Sequence, residues 1–261
     1  MNAVLRRSPP GTLRSRIRAP SPRAGASGCE QCPLPAVCDE APGNGLPGAL
    51  LDSVFEQRHL EPGENLYMAG QKRGSIWVVA EGALKTSEVD VAGREQVVGF
   101  HGTGEVLGIE RIEIAEHRGF ARALEPVHVC RIPVSRLIAR LSTEPALWRD
   151  VLGIAGRQIT RAREVHRVLG QLQTGQRLAW FLLRGAGPRH SACACSGERT
   201  VYLPMQRQDI ASFLGMTLET VSRSFGALHR ERLIEVRGRT IRLLDPDGLA
   251  ARILHPERAA A

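Results

Sequence analysis

Between residues 60 and 135 glycine recurs at turn-sized intervals, at Gly63, Gly70, Gly74, Gly82, Gly93, Gly99, Gly102, Gly104 and Gly108. The segments between are short and rich in β-branched and aromatic residues: ENLYMAG, GSIWVVAEGALKTSEV, REQVVGFHGTGEVLG, GFARALE and VHVCRIPV. Tight turns between short strands predict a small all-β roll or barrel. Past residue 142 the texture changes. Pro145 sits where a first helical turn accepts it, Ser142 and Thr143 are the candidate caps, and no proline follows before about residue 172. A roll followed by one long helix makes the chain α+β. A shorter helix is expected ahead of the roll, near 47–58.

On the long helical run Leu152, Ala155, Ile159, Ala162, His166 and Leu169 recur at alternating steps of three and four. That is the seam of a parallel coiled coil between two copies, or a stripe packed on the chain's own roll. Flanking Arg157, Arg161, Arg163, Glu164 and Arg167 suit a helix exposed on most sides and favour the homodimer. A second helix, 174–186, is apolar enough to be buried.

The segment MQRQDIASFLGMTLETVSRSFGALHRERLIEVRGRTIRLLD predicts a helix over 206–214, a turn at Gly215, a helix over 218–230 capped by Thr217, and two strands about Arg237-Gly238. Val221, Phe225 and Leu228 form the buried side of the second helix. Glu219, Ser222 and Arg223 point outward from its start. Arg pairs bidentately with guanine, Glu accepts from cytosine N4 and Ser serves either role, so these types suit a major-groove edge. Between 206 and 242 seven arginines face four acids, and Arg207, Thr217, Arg237 and Arg239 are candidate contacts to the DNA backbone.

Global charge adds little to that case. The chain carries 35 Lys+Arg against 27 Asp+Glu, but six of the arginines lie in residues 1–28, which hold no acid, leaving 29 against 27. This Arg/Ser/Pro-rich start has the composition of a disordered basic tail and lacks a secretory apolar stretch. No apolar run approaches the roughly 18 residues of a membrane span, so a cytoplasmic protein with no membrane partner is expected. No nucleophile–base pair, H-E-x-x-H motif or phosphate loop is present, which argues against an enzyme.

Six cysteines are spaced unevenly. Cys29, Cys32 and Cys38 read C-x2-C-x5-C, and Cys130 stands alone in VHVCRIPV. Thiolates this close reach one metal or cluster with little loop-closure cost. An iron–sulfur cluster, a four-thiolate zinc site and unligated thiols all fit the spacing. Cys193 and Cys195, near His190, are read as a solvated loop.

The order roll, long helix and winged helix-turn-helix resembles the CRP/FNR family of bacterial transcription regulators over residues 29–250. LGMTLETVSR is similar to the reading helix of the FNR branch, with its Glu-x-x-Ser-Arg signature. Leu218 stands where relatives often have valine. The resemblance implies a cyclic-nucleotide-binding-like sensor roll and an inverted repeat of TTGAT-type half-sites read by Glu219, Ser222 and Arg223. It implies a [4Fe–4S] cluster on Cys29, Cys32, Cys38 and Cys130, lost to oxygen, and RNA polymerase as a partner in activating anaerobic-metabolism genes. The branch that binds cyclic nucleotides resembles a cassette of Gly-Glu followed by Arg-Ser/Thr-Ala. Here Gly104-Glu105 is present, but His117 and Arg118 replace the later Arg and hydroxyl, so no cyclic nucleotide is expected. A regulator of the same fold answering to a small molecule, nitric oxide or zinc/thiol redox is the alternative. The expected organisation is a tail (1–28), cysteine loop (29–46), roll (47–141), dimerisation helix (142–172), winged helix-turn-helix (173–250) and tail (251–261).

Overall fold

The computed structural model describes residues 32–34, 57–109, 116–184, 189–192 and 199–254. The roll consists of β1 (Gln57–Leu60), β2 (Asn65–Tyr67), β3 (Ser75–Glu81), β4 (Ala83–Val89), β5 (Glu95–Gly102), β6 (Val106–Leu107), β7 (Gly119–Ala123) and β8 (Val127–Pro133). They form two antiparallel four-stranded sheets, ordered β1-β8-β3-β6 and β2-β7-β4-β5. Leu66, Tyr67, Trp77, Val79, Leu84, Val127 and Val129 fill the space between the sheets. Strand β3 is buried at five consecutive positions, Ser75 to Val79, because both of its faces are covered. Trp77 and Val79 face the roll interior, whereas Ile76 and Val78 pack on Leu137, Leu141, Leu147 and Ile154 of the helices that follow.

Those helices are α1 (Val134–Thr143) and α2 (Pro145–Gln171). The sequence reading placed α2 but not α1, and the cap it expected is different. Glu144 is the N-cap of α2 with Pro145 in the first turn. The Ser142 and Thr143 hydroxyls instead donate to the carbonyls of Ile138 and Arg140 within α1, so they terminate one helix and do not start the next. The helix expected near 47–58 also needs correction at its end. Gln57 and Arg58 belong to β1, paired with Cys130 and Val129 on β8, and 47–56 lie outside the described residues.

The C-terminal part holds α3 (Thr174–Arg184), β9 (Arg189–Ala192), β10 (Arg199–Tyr202), α4 (Arg207–Leu214), α5 (Leu218–Arg230), β11 (Ile234–Arg237), β12 (Thr240–Leu243) and α6 (Pro246–Leu254). Leu178, Phe181, Leu182, Ile210, Phe213, Leu214, Val221, Phe225 and Leu228 make one core. Between α4 and α5, Gly215 takes φ 61°, a left-handed conformation that glycine adopts without a Cβ penalty. The wing is β11–β12, its turn at Gly238-Arg239, one residue beyond the expected place. No helix among the described residues is long and apolar enough to cross a membrane.

Candidate nucleic-acid interface and sensor site

Helix α5 begins with Thr217, whose Oγ1 accepts the Thr220 backbone N–H at 3.1 Å, the simple cap its sequence predicts. Val221, Phe225 and Leu228 anchor it in the core, leaving Glu219 and Arg223 exposed and Ser222 half-buried on the outer face. Arg223 NH2 donates to Glu219 Oε1 at 2.5 Å, one helical turn away, so the two side chains share one surface. Leu218, half exposed, continues that surface toward the helix start. An open cleft of about 440 Å³ runs beside it, lined by Thr174, Gln176, Thr220, Arg223, Arg230 and Arg252.

The backbone candidates differ in availability. Arg207 lies over the Phe225 ring, its guanidinium carbon 5.0 Å from the centroid. Arg237 is held by Glu235 at 2.9 Å, and its hydrogen bond is the main reason the Glu235 carboxyl sits below the usual carboxylate range. Arg239 occupies the wing turn.

On α2 none of the six seam residues is fully buried, although Leu169 lies close to the Gly215 turn. Leu152 is 64% and Ile159 54% exposed, Ala162 and His166 are exposed, and Ala155 and Leu169 are half-buried. The buried residues Leu147, Ile154 and Val168 form a separate stripe, which is the one that packs on the chain itself. The packed stripe and the seam are therefore different residues.

Of the four cysteines expected to act together, Cys32 and Cys130 are described, and Cys29 and Cys38 lie outside the described residues, as do Cys193 and Cys195. His190 lies in β9. Cys32 and Cys130 are both half-buried and pack against the same apolar cluster. Leu34, with no exposed surface, inserts into that cluster beside Ile76, Val78, Ile132 and Leu137. It thereby brings the cysteine-bearing segment onto the face of β8 that carries Cys130. Two thiols converging on one patch fit the donor chemistry of a thiolate-held cluster. Among the described residues no three His, Cys, Asp or Glu side chains come together as a metal site.

The nucleotide-cassette positions are occupied internally. Glu105 Oε1 accepts from Arg161 of α2 at 2.8 Å, and Oε2 lies 3.2 Å from His101 Nδ1. Burial pushes the Glu105 carboxyl up, but the His101 hydrogen bond and the Arg161 charge outweigh it and its pKa falls. His117 is buried and stacks on Tyr67 with ring centroids 3.8 Å apart. Burial first, and then the Arg73 charge, lower its pKa to about 4, so at neutral pH it offers no positive charge. Arg118 is exposed.

Residues 57–144 match the cyclic nucleotide-binding domain and 176–252 the Crp-like helix-turn-helix domain. The chain is 36% identical to the transcriptional regulatory protein btr of Bordetella pertussis, over 86% of this chain and 92% of that one. It belongs to the CRP/FNR family of transcription regulators. The transcriptional activator protein FnrA of Stutzerimonas stutzeri is 34% identical over 85% of this chain and 91% of its own. Among solved structures, FixK2 from Bradyrhizobium japonicum superposes with a TM-score of 0.68 at 27% identity, covering 76% of this chain and 96% of that one. This CRP/FNR protein is a sequence-specific DNA-binding regulator and not an enzyme. Its sequence signals located the helix-turn-helix. They missed Leu34, whose only trace is one apolar residue between Pro33 and Pro35, and Arg161, which was read as a solvated flank.

Proposed function

We propose that this regulator is oxygen-responsive. Its sensor group is a [4Fe–4S] cluster on Cys29, Cys32, Cys38 and Cys130, and its output is a cytoplasmic homodimer on inverted repeats of TTGAT-type half-sites. The observation that carries this reading is the docking of Leu34, which holds Cys32 on the same apolar patch as Cys130. When bound, the cluster supplies an oxygen-labile tie between the N-terminal segment and β8. Leu152, Ala155, Ile159, Ala162, His166 and Leu169 then form the contact between two α2 helices, and Glu219, Ser222 and Arg223 read the base edges. Arg207, Thr217, Arg237 and Arg239 contact phosphates, and RNA polymerase is the partner for activation of anaerobic-metabolism genes. The tie need bias the dimer only slightly, since about 1.4 kcal/mol changes association tenfold. Two observations argue against a cyclic nucleotide: Glu105 is engaged by Arg161 and His101, and neutral His117 gives a cyclic phosphate no cation.

The experiment is the visible spectrum of protein purified without air, with iron and sulfide content, before and after exposure. Brown protein that bleaches in air and releases its DNA is expected, with Cys32→Ser and Cys130→Ser each losing iron and the oxygen response. Colourless protein that binds DNA equally with and without air would overturn the oxygen reading. Zinc in place of iron would assign the cysteines to a structural site.

A further inference from the structure

The reading domain is fastened to the roll at one edge. Strand β5 is the terminal strand of its sheet, where backbone N–H groups ordinarily face water. Here the Val97 N–H donates to Ser212 Oγ of α4 at 2.9 Å, and the Gln96 side-chain amide donates to the Ser212 carbonyl. Lys85, on the adjacent β4, reaches Asp209 of α4 at 2.6 Å, with only 12% and 13% of the two side chains exposed. Asp209 also accepts the Gln206 N–H at 3.0 Å, so the same carboxylate closes the start of α4 and pairs with the roll. Beneath these polar contacts Phe100 of β5 meets Phe213 of α4 at 5.3 Å between centroids, and both belong to the C-terminal core. On its other side Phe100 is gripped by α2, whose Arg161 donates to the Phe100 carbonyl at 2.9 Å.

We propose that Lys85 and Ser212 are positioning residues for DNA recognition: they latch α4 to the β4–β5 edge and so fix where α5 points relative to the dimer axis. Neither residue lies on the outer face of α5. Helix α4 is packed into one core with α5, so a rotation of α4 on the roll carries the reading helix with it. Breaking a largely buried ion pair leaves an uncompensated charge, which holds the latch closed. A fixed reading helix matters because two half-sites must lie a whole number of helical turns apart. One extra base pair turns the second site by about 34°. A rigid joint meets that demand at one spacing only, and a loosened joint tolerates others at lower peak affinity.

The inference rests on the two-half-site reading above and is independent of what the cysteines hold. Full-length protein is titrated against inverted repeats of increasing and decreasing spacing and against a single half-site, for wild type, Lys85→Met, Ser212→Ala and Lys85→Arg. Lys85→Met and Ser212→Ala are expected to bind the single half-site as wild type does. Their preference for the best spacing over one shifted by a base pair should fall about tenfold. Lys85→Arg, which keeps the charge, should restore the preference. An unchanged spacing preference in both loss variants would overturn the latch. So would a parallel loss of half-site affinity, which would make these residues supports of the reading domain's fold alone. Wild type that shows no spacing preference would instead remove the two-half-site reading itself.

Discussion

At the scale of single residues, the Glu219–Arg223 pair separates a proposed role in reading DNA from any role in stability. Both side chains are more than 70% exposed, and ion pairs so placed contribute almost nothing to the fold. On the proposed reading, the pair holds two reading groups in register before DNA arrives. Arg223→Ala is therefore expected to leave the thermal midpoint unchanged. It should lower discrimination at one base pair of the half-site by about 1–3 kcal/mol, measured by competition with single-base operator variants. His117 is buried in the roll, and its effect is expected in stability. Its pKa is near 4 when folded and near 6.5 otherwise, so the unfolded chain takes up a proton that the folded one refuses. Stability is then fully present above about pH 6.5 and declines as pH falls toward 4. Urea midpoints at pH 7 and pH 5 should separate in wild type and draw together in His117→Gln.

At the scale of elements, α2 was legible because its apolar residues recur at helical steps over a long run free of proline after Pro145. Leu147, Ile154 and Val168 serve its own chain, and Leu152 and Ile159 remain on the other side. The three-and-four spacing of the seam was readable in the sequence, but the cap was not. Hydroxyls at 142 and 143 can bond forward or back, and only the presence of α1, whose Val134, Leu137 and Leu141 make a repeat too short to announce a helix beside a strand, turns them back. In the proposed two-fold contact, Ile159→Glu sets like charges opposite each other. It should raise the dimer dissociation constant about a hundredfold, or about 2.7 kcal/mol, and abolish full-site binding together with it. Sedimentation velocity checks the first and operator titration the second. A fully dimeric Ile159→Glu protein would return α2 to a purely internal role.

At the scale of the molecule, the two halves were legible separately and their junction was not. Glycine spacing marked the roll and the helix–Gly–helix pattern marked the reading domain, because both signals are local in sequence. The joint depends on pairs such as Lys85 with Asp209 and Phe100 with Phe213, each far apart along the chain and without any repeat to announce it. The same holds for the cysteine segment, where the spacing of the trio was evident and Leu34, which docks Cys32, was not. Leu34 carries one further consequence. Buried in the roll, it anchors Cys32 on the same apolar patch as Cys130. If the proposed cluster is held there, a sensor emptied of it would keep Cys32 at high effective concentration beside Cys130. On the proposed reading, re-arming would be a short local search, and the molecule could be used repeatedly, not spent once.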